Sequence, residues 1–102
     1  MYSWNQRHPN LQIKPEEVVH QRTQLLPPYK VILFDDDVND MLYVVFALIK
    51  SVNSLTIHEA ERIMLTAHTT GNAIVIVCPR EAAEYYQERL LSYNLTATIE
   101  PD

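Results

Sequence analysis

The side chains of this chain that could carry chemistry are few. They are an acidic triplet, Asp35-Asp36-Asp37, a histidine at His68, a single cysteine at Cys78 and a tyrosine pair, Tyr85-Tyr86. Three adjacent carboxylates repel one another, so they persist only where they are solvated, capping a helix or paired with a cation. The plain use is a solvated turn whose Asp or Asn starts the next helix. The functional uses are a metal site, a phospho-acceptor pocket or a receptor for a cationic ligand. A metal would recruit His68, but carboxylates plus one distant imidazole lack the local spacing of a ligand set, and no metal is expected. Cys78 closes a β-branched run with no base near it in sequence, which suits a buried, inert thiol. The tyrosines look like packing and surface residues, and nothing pairs a nucleophile with an oriented base. The chain is therefore not expected to be an enzyme, nor to need a cofactor.

The triplet closes Tyr29–Phe34, a short apolar, β-branched run that predicts a buried strand. Val38–Asp40 then forms a loop and helix start. Met41–Lys50 is apolar nearly all round, which predicts a central helix. Thr56 and Glu59 form a capping box, in which hydroxyl and carboxylate each satisfy an orphan N–H at a helix start. The helix that follows puts Ile57, Ala60, Ile63, Met64 and Ala67 on one stripe and stops at Gly71, the only glycine. Ala73–Cys78 predicts a second buried strand. Pro79 suits a helix start, Arg80–Tyr93 a third helix with Ala82, Ala83, Tyr86 and Leu90 inward, and Leu95–Glu100 alternates like a half-exposed strand. The order β-α-α-β-α-β predicts an α+β domain: a three-stranded antiparallel sheet with three helices packed on one face.

Composition narrows the classes further. With 102 residues, 47% of them apolar, the chain makes one globular domain. One glycine excludes glycine-rich phosphate loops, and one cysteine excludes a disulfide framework or a CxxC zinc site. A net charge of −5 argues against nucleic acid. The longest apolar run, Met41–Ile49, falls far short of the roughly 20 residues that cross a bilayer. No secretory or transit segment is visible, and a reduced, cytoplasmic setting is expected. The acidity is uneven: residues 1–28 carry three basic and two acidic side chains, residues 29–102 five and eleven. Residues 1–28, rich in Gln, Asn, Pro and His, are expected to be a flexible arm on a folded core over 29–102.

Two resemblances bear on the triplet. VILFDDD looks like the opening strand of a bacterial receiver domain. A receiver would need a later isolated aspartate and a late lysine, and this chain has no aspartate between Asp40 and Asp102 and no lysine after Lys50. The second resemblance covers the whole folded part. PPYKVILFDDDVNDMLYVVFAL, then MLTAHTTGNAIVIV, then PREAAEYYQERL and the closing strand resemble the ClpS family, adaptors that deliver N-degron substrates to the Clp protease.

That resemblance implies a pocket for the first residue of a substrate polypeptide. Asp35, Asp36, Asn39 and His68 would form the polar rim around its α-ammonium. Met41, Val44, Met64, Ala67 and Leu95 would line an apolar hole, with Met41 as a gate against β-branched side chains, while Asp37 serves the loop. It implies docking to a Clp AAA+ unfoldase of the ClpA or ClpC type through the face bearing Glu81, with the arm engaging the unfoldase, and a monomeric adaptor. The ending TATIEPD resembles cyanobacterial and plastid members. The chain departs from the usual pattern at Asp35, where Asn is frequent, and at Ala67, where Val is. It departs also at Tyr86, where a docking lysine often stands. Asp35 would strengthen attraction to an ammonium and disfavour an acidic second residue, and Ala67 would reshape the pocket wall. A reading from another class stays open: a small regulatory module that binds a Clp chaperone without recognising N-termini.

Overall fold

The structure is a computed structural model that describes residues 26–102. Apart from residues 26–28, the expected arm lies outside the described residues. The elements run β1 (Tyr29–Phe34), α1 (Met41–Ser51), α2 (Ile57–Thr70), β2 (Asn72–Cys78), α3 (Arg80–Ser92) and β3 (Thr96–Pro101). This is the β-α-α-β-α-β order expected from the periodicities. The sheet order is β2-β1-β3, and both pairings are antiparallel.

β1 occupies the centre, which explains its unbroken apolar run. Val31 and Leu33 face the core, while Ile32 faces the opposite side between Ile74 and Thr98, its partners in register, and is buried there too. β2 corrects the expectation of a second buried strand. Among the described residues it is an edge strand with one covered face: Ala73 and Val75 are buried, whereas Ile74 and Val77 are 50% and 46% exposed. Continuous β-branched residues cannot distinguish a strand covered on both faces from an edge strand with an apolar outer face. Its register slips between Val31 and Ile32, a bulge that brings both Val75 and Ile76 against the core.

α2 begins and ends as its sequence dictates. The Glu59 N–H donates to Thr56 Oγ1 at 3.2 Å, and the Thr56 N–H donates to Glu59 Oε1 at 3.0 Å. At the other end Gly71 takes φ 97°, a left-handed stop, and its N–H donates to the Ala67 carbonyl at 2.8 Å. Ala60, Ile63 and Ala67 are buried as expected, but Ile57, the first residue of the helix, stands exposed ahead of the buried stripe.

α2 and α3 lie against the sheet, while among the described elements α1 has only α2 and α3 as backbone neighbours. That placement corrects the expectation of a central helix. Val45, Ala47 and Leu48 are buried, but Leu42 and Phe46 are 78% and 49% exposed, and among the described residues no element covers the far side of α1. On α3, Ala83 and Leu90 are buried and Ala82 and Tyr86 partly so. After α3, Asn94 turns the chain with φ 64° and delivers Leu95 into the core. Leu33, Leu48, Ile63 and Leu90 are the largest fully buried side chains and tie α1, α2 and α3 to β1.

Candidate functional site

Where β1 leaves the sheet, the chain turns through residues 35–40 before entering α1. The Asp35 N–H donates to the Gly71 carbonyl at 3.0 Å, which ties the start of this loop to the end of α2. Asp36 organises the turn. Its Oδ1 accepts from the Val38 and Asn39 N–H groups at 3.0 and 2.7 Å, and its Oδ2 accepts from Asn39 Nδ2 at 3.0 Å. Burial pushes the Asp36 carboxyl up, but the hydrogen bonds from Asn39 and Val38 together outweigh it and hold the group below its ordinary value. Asp36 is therefore a fixed anion at neutral pH.

Asn39 Nδ2 also donates to the Asn94 carbonyl at 2.9 Å. With the amide nitrogen committed to two acceptors, Oδ1 is the remaining acceptor of this side chain, and among the described residues nothing donates to it. The loop is thereby pinned to the turn before β3, and Tyr43 Oη reinforces the joint by donating to the Tyr93 carbonyl at 2.8 Å. Asp35 keeps its carboxylate open to the mouth, with His68 Nδ1 at 3.6 Å from Oδ1, an ion pair whenever the imidazole is protonated.

These groups surround a cavity of about 320 Å³. Asp35, Asp36, Asn39 and His68 line it, as do Met41, Val44, Met64, Ala67 and Leu95, so the structure brings together every residue expected in the pocket. Ala67 and Leu95, each 2% exposed, form its inner wall, and Met41, 41% exposed, stands at the opening. Met41 and Val44 are three residues apart on α1, and Met64, Ala67 and His68 share one face of α2, so two helices present facing walls. Glu81 lies elsewhere, exposed in the first turn of α3. Tyr86 is partly buried on the same helix, its ring centroid 5.7 Å from that of Tyr85.

The cavity also has lining residues beyond those expected: Leu33, Phe34, Asp37 and Asp40. Asp40 is the N-cap of α1, yet its side chain makes no capping hydrogen bond. Its position alone predicts an ordinary cap, and only the structure shows that Asp40 lines the cavity. Asn94 was missed as well; an Asn just past a helix end is a left-handed stop, and that signal could have found it. Among the described residues, no group of three or more His, Cys, Asp or Glu could hold a metal ion. Cys78 is partly buried, and burial pushes its thiol up, away from reactive thiolate character. An apolar cavity with an anionic mouth suits one chemistry: a cationic head attached to an apolar side chain.

A family model described as "ATP-dependent Clp protease adaptor protein ClpS" matches residues 24–98. The chain belongs to the ClpS family. Its ClpS relatives include the Clp protease adapter of Synechococcus elongatus, 46% identical over 87% of this chain and 92% of that protein. The adapter of Gloeobacter violaceus is 48% identical over 76% of this chain and 83% of its own length. The chloroplastic adapter CLPS1 of Chlamydomonas reinhardtii is 46% identical over 79% of this chain and 51% of its own length. The ClpS fold is shared with a solved structure, Agrobacterium tumefaciens ClpS2 bound to L-phenylalaninamide. That match has a TM-score of 0.70 and 30% identity, covering 74% of this chain and 98% of the other. Among the described residues, no helix is long and apolar enough to cross a membrane.

Proposed function

We propose that this ClpS-family protein is a non-enzymatic adaptor that captures the free first residue of a polypeptide and presents it to a Clp AAA+ unfoldase. The observation that carries this reading is the cavity itself, lined both by apolar side chains and by Asp35, Asp36, Asp37 and Asp40. A protonated α-amino group, with pKa about 8 in a free chain, offers three N–H donors to such a rim. Asp36 keeps acceptor capacity beyond its three loop hydrogen bonds, Asn39 Oδ1 accepts from none of the described residues, and Asp35 stands open beside His68. The side chain of a Leu, Phe, Tyr or Trp first residue would enter between Met41, Val44, Met64 and Ala67. The solved ClpS2 neighbour supports the same reading, because its ligand joins a phenyl side chain to an α-amino group.

In this reading Asp35 adds attraction for the ammonium and repels a substrate whose second residue is acidic. The unfoldase is of the ClpA or ClpC type, docking uses the α3 face bearing Glu81, the adaptor acts as a monomer without a cofactor, and the setting is a cytoplasm. A degradation assay tests delivery. With a cyanobacterial Clp unfoldase and peptidase, adding this protein accelerates loss of a reporter that begins with Leu or Phe. The same reporter beginning with Ser is unaffected. Equal rates for the two reporters would contradict selective delivery.

A further inference from the structure

The least covered apolar side chains near the cavity form a ridge on the far side of its lip. Val38 is 90% exposed, Leu42 78% and Phe46 49%. Val38 sits between Asp37 and Asn39, and Leu42 follows Met41, all of which line the cavity. The ridge therefore starts at the mouth and runs along α1 away from it. Phe46 is steadied at its far end by Tyr43 and Tyr93, at ring centroid distances of 6.4 and 6.2 Å. Among the described residues nothing covers this apolar helix surface beside the acidic loop, while α1 buries Val45, Ala47 and Leu48 on its other side.

We infer that this ridge binds the substrate polypeptide beyond its first residue and recognises apolar side chains there. The inference rests on the capture of a free N-terminus proposed above. A chain whose first residue fills the cavity must leave through the mouth, and Val38 and Leu42 lie on the lip it crosses. The spacing matches an extended peptide. Leu42 and Phe46 are one helical turn apart, about 6 Å. Alternate residues of an extended strand share a face and are about 6.6 Å apart. With the first residue in the cavity and the second crossing the acidic rim, the third and fifth meet the ridge. Continuity with the mouth favours the substrate over a second copy of this chain or an unfoldase surface.

Fluorescent peptides that share a Phe-Arg start test this on the full-length protein. One carries Leu at positions three and five, the other Ser. The Leu peptide is expected to bind about three- to tenfold tighter, the effect of partly burying one or two apolar side chains. In Leu42→Ser, a neutral change at an exposed position confirmed folded by its thermal melt, that advantage disappears while the Ser peptide binds as before. Phe46→Ser reduces the advantage in the same way. Equal affinity of the two peptides for the natural protein overturns the inference and leaves capture of the N-terminus standing. So does an advantage that survives Leu42→Ser while self-association or unfoldase binding is lost, because the ridge then serves another partner. Failure of both peptides to bind removes the cavity reading itself, and the inference with it.

Discussion

Asp36 carries two tasks, and its substitution separates this account from one in which the acidic triplet is only a solvated turn. Its carboxylate holds the Val38 and Asn39 N–H groups and orients the Asn39 amide, and in the proposed function it also accepts from the captured ammonium. Asp36→Ala should weaken peptide binding about ten- to a hundredfold, the loss of one charge-assisted hydrogen bond. Asp102→Ala, far along the chain, should leave binding unchanged; equal effects would mean that the site is misplaced. Because the folded carboxyl titrates below its ordinary value, the unfolded chain takes up this proton first as pH falls. Its contribution to stability is full above about pH 5 and fades below about pH 4. An acid titration of the melting temperature should show a smaller slope in Asp36→Asn than in the natural protein. At this scale the sequence was informative where residue type restricts chemistry. An acidic triplet after a strand, a histidine one turn before a glycine and methionines at helical spacing were all visible. Asp40 was not, because an N-cap aspartate and a cavity-lining aspartate are the same letter at the same position.

The loop can face a cavity because two elements end where they do. Gly71 stops α2 just past His68 and accepts the Asp35 N–H, so helix end and loop start are fixed to each other. Nothing within 4 Å would meet a Cβ at Gly71, so the cost of Gly71→Ala is conformational alone. At φ 97° that substitution should destabilise the fold by about 1–2 kcal/mol in denaturant melts, with peptide binding weakened as His68 and Asp35 shift. An unchanged midpoint would show that the chain relaxes there. Gly71, the Thr56–Glu59 box and the 3.6-residue stripe of α2 were legible because each is written in local sequence. Exposure of α1 and β2 was not. Leu42, Phe46, Ile74 and Val77 look like core by composition, yet they are exposed because coverage depends on neighbours that arrive from elsewhere in the chain. Ile57 failed for a related reason, since a helical stripe does not mark where its neighbours begin.

Across the molecule, the acidic excess belongs to residues 29–102, and four of its aspartates stand around one cavity. The sheet covers one side of α2 and α3, α1 leans on both, and the cavity opens where the loop between β1 and α1 meets α2 and the start of β3. Glu81 lies outside that cavity, which predicts that the two binding functions separate. Glu81→Ala should weaken unfoldase binding while peptide affinity stays within about twofold, and a parallel loss of both would argue against a distinct docking face. The central claim is that the cavity holds a protonated chain end. Its most direct measurement is a fluorescence titration of a peptide beginning with Phe or Leu against an otherwise identical N-acetylated copy. The account predicts saturable binding of the free peptide, abolished by acetylation and weakening as pH rises past the peptide amine's value of about 8. Equal binding of the acetylated copy, or an affinity unchanged up to pH ~9.5, would contradict it.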